Sequence, residues 1–365
     1  MFSVDRKFFK KFDWISFFLM LALSSIGLLF IYSATYKPEI PYSIFFKKQL
    51  FGILSGVLLY LFFSIIDHRQ LIRFGYFLYF IIIGLLVFTI VKGSIGMGAK
   101  RWINLVFIKW QPSEMAKLLF PAFAVYFLHT QKDNFSFTWK DFAPILAILA
   151  ISTLLILKQP DLGTALILLF SGLIIIWLAG IGKKFFVISF LLTLLLTPIT
   201  WNMLKPYQKK RVSVFLGYGE SKKERYQIEQ SQISIGSGGL WGKGILKGTQ
   251  NRLSFLPERR TDFIFSVICE ELGFLGALLI LFLYILLGTR IFLILIKIDS
   301  PLVTLFGVGI ALHIFISALV NMYMVTGLLP IVGIPLPLVS YGLSNLWTTF
   351  ITLGCLNSIK IQKTH

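Results

Sequence analysis

The chain has 365 residues, 56% of them hydrophobic and 14% charged, with a mean hydropathy of +0.81 and a formal net charge of +19. Soluble domains run nearer a quarter charged, so this composition excludes an ordinary soluble domain and indicates a polytopic membrane protein. The two cysteines, Cys269 and Cys355, lie far apart in apolar runs, and His68, His129, His313 and His365 are scattered. A disulfide framework and a Cys- or His-based metal cluster are therefore not expected.

The N-terminus is basic and then apolar from Trp14 to Tyr36. Those 23 residues exceed a signal-peptide core and read as a retained first span. Further apolar stretches follow at Leu50–Ile66, Phe74–Val91, Met115–His129, Phe142–Leu157, Leu162–Ala179, Phe185–Trp201, Phe263–Leu287, Leu302–Val325 and Leu336–Leu356. The predicted architecture is an all-α bundle of about ten transmembrane helices forming one domain over residues 1–365. A large loop, 202–260, joins spans seven and eight. The fourth and fifth stretches are short, so their helices are expected to begin in the polar motifs before them.

Placing both termini in the cytoplasm puts 14 Lys and Arg in the inner segments and 9 in the short outer ones. That bias agrees with the positive-inside rule and makes the 202–260 loop extracytoplasmic.

Before the fourth span, "GSIGMGAKRWINLVFIKWQPSE" combines glycines for tight turns with Trp102 and Trp110, which suit an interface. Arg101 is expected near Glu114, either as its counter-ion or as a phosphate ligand. Three helices running from outside to inside then start with a proline followed by an acid: "QPSEMAK", "KQPDLGT" and "LPERRTDF". Proline suits the first helical turn, where its missing N–H has no partner. The topology thus brings Glu114, Asp161 and Asp262 to one outer surface. Each acid also has a purely structural explanation, because carboxylates favour helix N-termini and Thr261 is a suitable cap. Lys117, one turn after Glu114 inside an apolar span, either closes a local ion pair or lines a pocket. Glu270 and Glu271 fall about 12–14 Å below Asp262 at the helical rise. There a carboxylate needs a buried partner or a proton.

The 202–260 loop carries 12 Lys and Arg against four acids. A basic outer loop can meet lipid phosphates, of substrates or of anionic headgroups, while nucleic acid is not expected outside a membrane. Its "GSGGLWGKG" is not a nucleotide loop, since Gly244 stands where Ser or Thr would bind magnesium. After the ninth span, "TGLLPIVGIPLPLVSYGLSN" is too rich in Pro and Gly for a regular helix and reads as a lid lining a protein cavity.

Together "GAKRWINL", "QPSEMAK", "QPDLGTA", "IGSGGLWGKGILKGTQ", "FLPERRTDFIFSVICEELGFLG" and "GIPLPLVSYG" resemble the SEDS family of bacterial cell-wall polymerases, in family order from the first span to the last. "GKGILKGTQ" favours its elongation branch over its division branch. Two positions depart from the family: Arg260 stands where His is usual, and Leu343 where Gly is usual. The resemblance implies a ten-span peptidoglycan glycosyltransferase of the bacterial cytoplasmic membrane. Such an enzyme joins a glycan on undecaprenyl diphosphate to the 4-hydroxyl of an incoming lipid II. It also implies Asp262 as the catalytic base. Arg101, Lys117, Arg211 and the loop cations would meet the diphosphate, and Glu114, Asp161 and Arg259 would complete the substrate-binding wall. No cofactor is evident, although a divalent cation could bridge acid and diphosphate. Implied partners are a class B penicillin-binding protein, a transpeptidase, and the elongation machinery. Arg259, Arg260 and the helix N-terminus are expected to depress the Asp262 pKa, with Phe263 and Phe265 opposing them. The competing readings are a lipid II flippase, which would depend on Glu270 and Glu271 at the midplane, and a catalytically inert scaffold.

Overall fold

The expected helical bundle is present in the computed structural model. It describes residues 10–362 except 97–98, 106–107, 132–136, 188–190, 192–194, 196–205, 219–221 and 254. The helices are α1 (Trp14–Thr35), α2 (Ile44–Ile65), α3 (His68–Lys92), α4 (Pro112–Gln131), α5 (Trp139–Lys158), α6 (Leu162–Leu178), α7 (Pro206–Phe215), α8 (Lys222–Ser237), α9 (Thr249–Arg252), α10 (Ile264–Leu295), α11 (Pro301–Val325) and α12 (Leu343–Gln362). Between α3 and α4 runs a small antiparallel sheet, β1 (Ser94–Gly96), β2 (Ala99–Leu105) and β3 (Ile108–Trp110), in that spatial order.

Among the described residues, α1, α2, α3, α5, α10 and α11 are long and apolar enough to cross a bilayer, and α6 is a shorter apolar helix. The molecule is a multi-pass membrane protein. Helices α4 and α12 are more polar for a physical reason. Most of their residues are enclosed by other helices, so Ser113, Lys117, Thr348, Thr349, Thr352 and Asn357 face protein and not hydrocarbon. Helix α12 packs along α2, where Gly354 lets the Tyr60 carbonyl approach to 2.6 Å of where a Cβ would stand.

As expected, α4 and α5 start in the polar motifs before their apolar cores. The expected seventh span, Phe185–Trp201, falls largely outside the described residues. Two boundaries differ from expectation. The tenth helix starts at Leu343 and not at Leu336. Pro335 and Pro337 interrupt the chain, Leu338 adopts a left-handed φ of 66°, and the Leu336 N–H is satisfied by the Ser340 hydroxyl at 2.8 Å. In the eighth, α10 runs on to Leu295 but breaks at Gly273, with φ 69° and ψ −160°. Residues Phe263 to Glu271 are buried on all sides, and apolar side chains become exposed from Phe274 onward. The first two turns of α10 are therefore wrapped by protein, not lipid.

At the far end of the bundle, Asp13 joins three helices. Its Oδ1 accepts from Arg290 Nε at 2.8 Å, Arg290 Nη2 at 2.6 Å and Lys360 Nζ at 3.0 Å.

Candidate active site

The Asp262 turn is held from behind by its own backbone. The Asn321 side-chain amide, on α11, donates to the Asp262 carbonyl at 2.8 Å and to the Ile334 carbonyl at 2.7 Å. The Ser340 hydroxyl donates to the Thr261 carbonyl at 2.6 Å, and the Tyr341 N–H donates to the Arg260 carbonyl at 2.9 Å. Three consecutive carbonyls are thus engaged by the 330–341 segment and by α11. This network leaves the carboxylate pointing elsewhere. Among the described residues no hydrogen bond or ion pair reaches it, and the residue stays partly exposed. Thr261 does not act as the expected helix cap. Its hydroxyl turns back to the Glu258 carbonyl at 3.2 Å and carboxylate at 3.1 Å.

Burial pushes the Asp262 carboxyl up to about 6, the nearby Glu258 adds to the rise, Arg101 and Arg211 pull downward, and Asp161 raises it again. The expectation that Arg259 and Arg260 would depress it does not hold. The turn sends both guanidinium groups to other partners. Arg259 Nε donates to the Ala34 carbonyl at 2.9 Å, and the Arg260 guanidinium sits 3.8 Å over the Phe45 ring. Desolvation is the leading influence.

Asp161 caps α6, accepting from the Thr164 N–H at 3.3 Å. It also binds Arg101 (Nη1 to Oδ1, 3.2 Å) and accepts from Gln111 Nε2 at 2.6 Å. Arg101 pairs with Asp161, not with Glu114 as one of the expected alternatives had it. The β-sheet carries Arg101, and the helix cap fixes Asp161. Glu114 and Lys117 form the local ion pair at 2.9 Å, with Asn345 of α12 donating to the same carboxylate oxygen at 2.9 Å. Lys117 is 2% exposed, so this pair is closed off from solvent. Electrostatics therefore couple Asp262, Arg101, Arg211 and Asp161, while Glu114 and Lys117 brace α4 against α12.

Sequence reasoning passed over Asn321, Gln111 and Asn345. For Asn321 and Asn345 the signal was present, since an amide inside an apolar span is costly unless it bonds across helices.

The glycine-rich motif also finds its partner. Lys243 Nζ binds Glu270 Oε1 at 2.7 Å, which further accepts from the Gln250 N–H at 3.0 Å and the Thr249 hydroxyl at 3.1 Å. Glu271 accepts from Ser33 of α1 at 2.5 Å and from the Leu246 N–H at 3.1 Å. A side chain at Gly242 would overlap the Glu271 carbonyl, and its φ is 79°. The glycines let this loop lie backbone to backbone on α10, where the two buried carboxylates gather its donors.

The profile of the FtsW/RodA/SpoVE family, described as cell cycle protein, matches residues 13–365. The peptidoglycan glycosyltransferase MrdB of Escherichia coli K12 is 38% identical over 319 residues, 87% of this chain and 86% of that protein. Among solved structures, a chain from work on structural coordination of polymerization and crosslinking by a peptidoglycan synthase complex superposes with a TM-score of 0.82 at 29% identity. The match covers 97% of this chain and 99% of that one. The rod shape determining protein RodA of Thermus thermophilus gives 0.72 at 26% identity, over 97% and 98%. With the family profile matching residues 13–365 and a relative 38% identical over 87% of its length, the chain belongs to the FtsW/RodA/SpoVE family.

Proposed function

We propose that Asp262 is the general base of a glycosyl transfer carried out at the outer membrane surface. The chain is a peptidoglycan glycosyltransferase, in line with relatives of that name at 34–38% identity over most of its length. In the proposed reaction the Asp262 carboxylate takes the proton of the 4-hydroxyl of an incoming lipid II. The freed oxygen attacks the anomeric carbon of the growing glycan. The bond from that carbon to undecaprenyl diphosphate breaks, and the electron pair leaves with the diphosphate. Arg101 and Arg211, the cations acting on Asp262, would offset the charge that develops there, and their influence on its carboxyl supports that role. Asp161 orients Arg101, Arg259 ties the turn to α1, and the Glu114–Lys117 pair forms the floor.

One observation carries the assignment: among the described residues no hydrogen bond or ion pair engages the carboxylate of the partly exposed Asp262, and burial raises its pKa to about 6, toward the range a base requires. The flippase reading is disfavoured because Glu270 and Glu271 are saturated by loop donors above the spanning part of α10. Both termini are proposed to be cytoplasmic, and a transpeptidase of the class B penicillin-binding type is the proposed partner. The similarity to a chain of a complex that couples polymerization to crosslinking supports that pairing. The test is purified protein incubated with labelled lipid II. Glycan strands are expected from the parent chain and none from Asp262→Asn. Strand synthesis by that variant would remove Asp262 from the mechanism.

A further inference from the structure

We infer that the glycine-rich loop is a membrane-interface anchor, with Leu240 and Trp241 resting in the boundary between lipid headgroups and acyl chains. Its height is set by backbone geometry. The Phe274 N–H donates to the Gly239 carbonyl at 2.8 Å, and the Leu275 N–H donates to the Leu240 carbonyl at 3.3 Å. Those amides begin the stretch of α10 whose apolar side chains are exposed. From Phe274 to Leu295 the helix rises about 33 Å, close to the thickness of a bilayer's hydrocarbon core, so Phe274 marks the edge of that core. A loop hydrogen-bonded to Phe274 and Leu275 lies at the same level.

The side chains at that level fit lipid. Trp241 is 80% exposed and Leu240 64%, and both continue the exposed apolar surface of Phe274, Leu275, Leu278 and Leu279. A tryptophan has an apolar ring and one N–H donor, the combination that settles at the headgroup level. On its other side the loop is polar and closed, with Lys243 on Glu270 and the Leu246 N–H on Glu271. The loop thus presents one apolar edge outward and one bonded edge inward. Left in water, two large exposed apolar side chains beside a lipid-facing helix would have no physical reason to stay there. Anchoring fixes the height of the segment that leads into the Asp262 turn. The inference does not depend on the glycosyl-transfer reading.

The test is site-directed spin labelling of the full chain in phospholipid nanodiscs. Trp241→Cys is compared with Glu229→Cys on the exposed side of α8 and with Phe282→Cys in the middle of the α10 span. The parent chain reports any labelling of the buried Cys269 and Cys355. Collision with oxygen and with a water-soluble nickel chelate reads depth. The expected result is a loss of nickel access at 241 relative to 229, with oxygen access approaching that at 282. Nickel access equal to that at 229 would place the loop in water and overturn the inference. Protection from both reagents would mean a protein cover, either a second copy or a partner helix, and would overturn it equally. A second variant separates anchoring from folding. Trp241→Glu should raise nickel access at a label on Leu240→Cys, while Trp241→Phe should leave it unchanged.

Discussion

The Asn321 side-chain amide donates at 2.8 Å to the carbonyl of Asp262, a residue 59 positions earlier in the chain. The same nitrogen donates to Ile334 at 2.7 Å. One amide therefore locks the acidic turn to the Pro-rich segment over it. Removing it leaves two carbonyls short of a donor in a water-poor setting, at a cost of about 1–3 kcal/mol each if both stay buried. Asn321→Ala is expected to insert but to melt at lower temperature in detergent. It should show faster hydrogen exchange across 331–341 and a lower kcat with KM little changed. Unchanged exchange in that segment would show that the clamp is dispensable.

The pH dependence follows from the sign of the Asp262 shift. The carboxyl titrates near 6 in the folded protein, above its ordinary 3.8. A base must be ionised, so kcat/KM for lipid II should fall on acidification with a limb near pH 6 and be flat well above it. The same shift means that ionised Asp262 works against folding, and the loss of stability develops as pH rises from about 4 to about 6. Asp262→Asn should accordingly raise the melting temperature at pH 7.5, leave it unchanged at pH 4, and abolish strand synthesis. Equal melting shifts at both pH values would contradict the origin given for the raised pKa.

Arg260, where the resemblance leads one to expect His, has its guanidinium on Phe45 and not on Asp262. Arg260→His should therefore leave the acid limb of the rate profile near pH 6. Phe45→Ala should weaken the turn by about 1 kcal/mol through the lost cation–π contact and ring burial. A displaced limb in Arg260→His would place its charge in the site after all.

Glu270 holds Lys243, Thr249 and the Gln250 N–H, so Glu270→Gln keeps its shape but loses the ion pair. Because Lys243 keeps partial contact with water, the cost should fall below the 3–5 kcal/mol typical of breaking a fully buried pair. The expected phenotype is faster proteolysis within 238–252 and reduced activity, with the pH profile unaltered in form. Glu270→Gln losing activity while the loop stays protected would favour a proton-carrying role.

Much of this was legible in the sequence. Hydropathy places the six long apolar helices found among the described residues, because an apolar run of bilayer length has few other stable fates. Proline followed by an acid lay near three helix starts, but only Pro112 occupies a first turn, since Pro160 precedes the Asp161 cap of α6 and Pro257 lies in the turn before α10. The motifs carried the family, and with it the proposal of Asp262 as the base. What the sequence left open depended on contacts between distant segments. That Arg101 takes Asp161 and not Glu114, and where Arg259 and Arg260 point, depends on the sheet and turn that aim them. The direction of the Asp262 shift depends on how completely the 330–341 segment and α11 enclose it. The kink at Gly273 shows the same division. The residue announces that a break is allowed, but only the loop backbone lying against it determines that α10 breaks there, and thus where protein gives way to lipid.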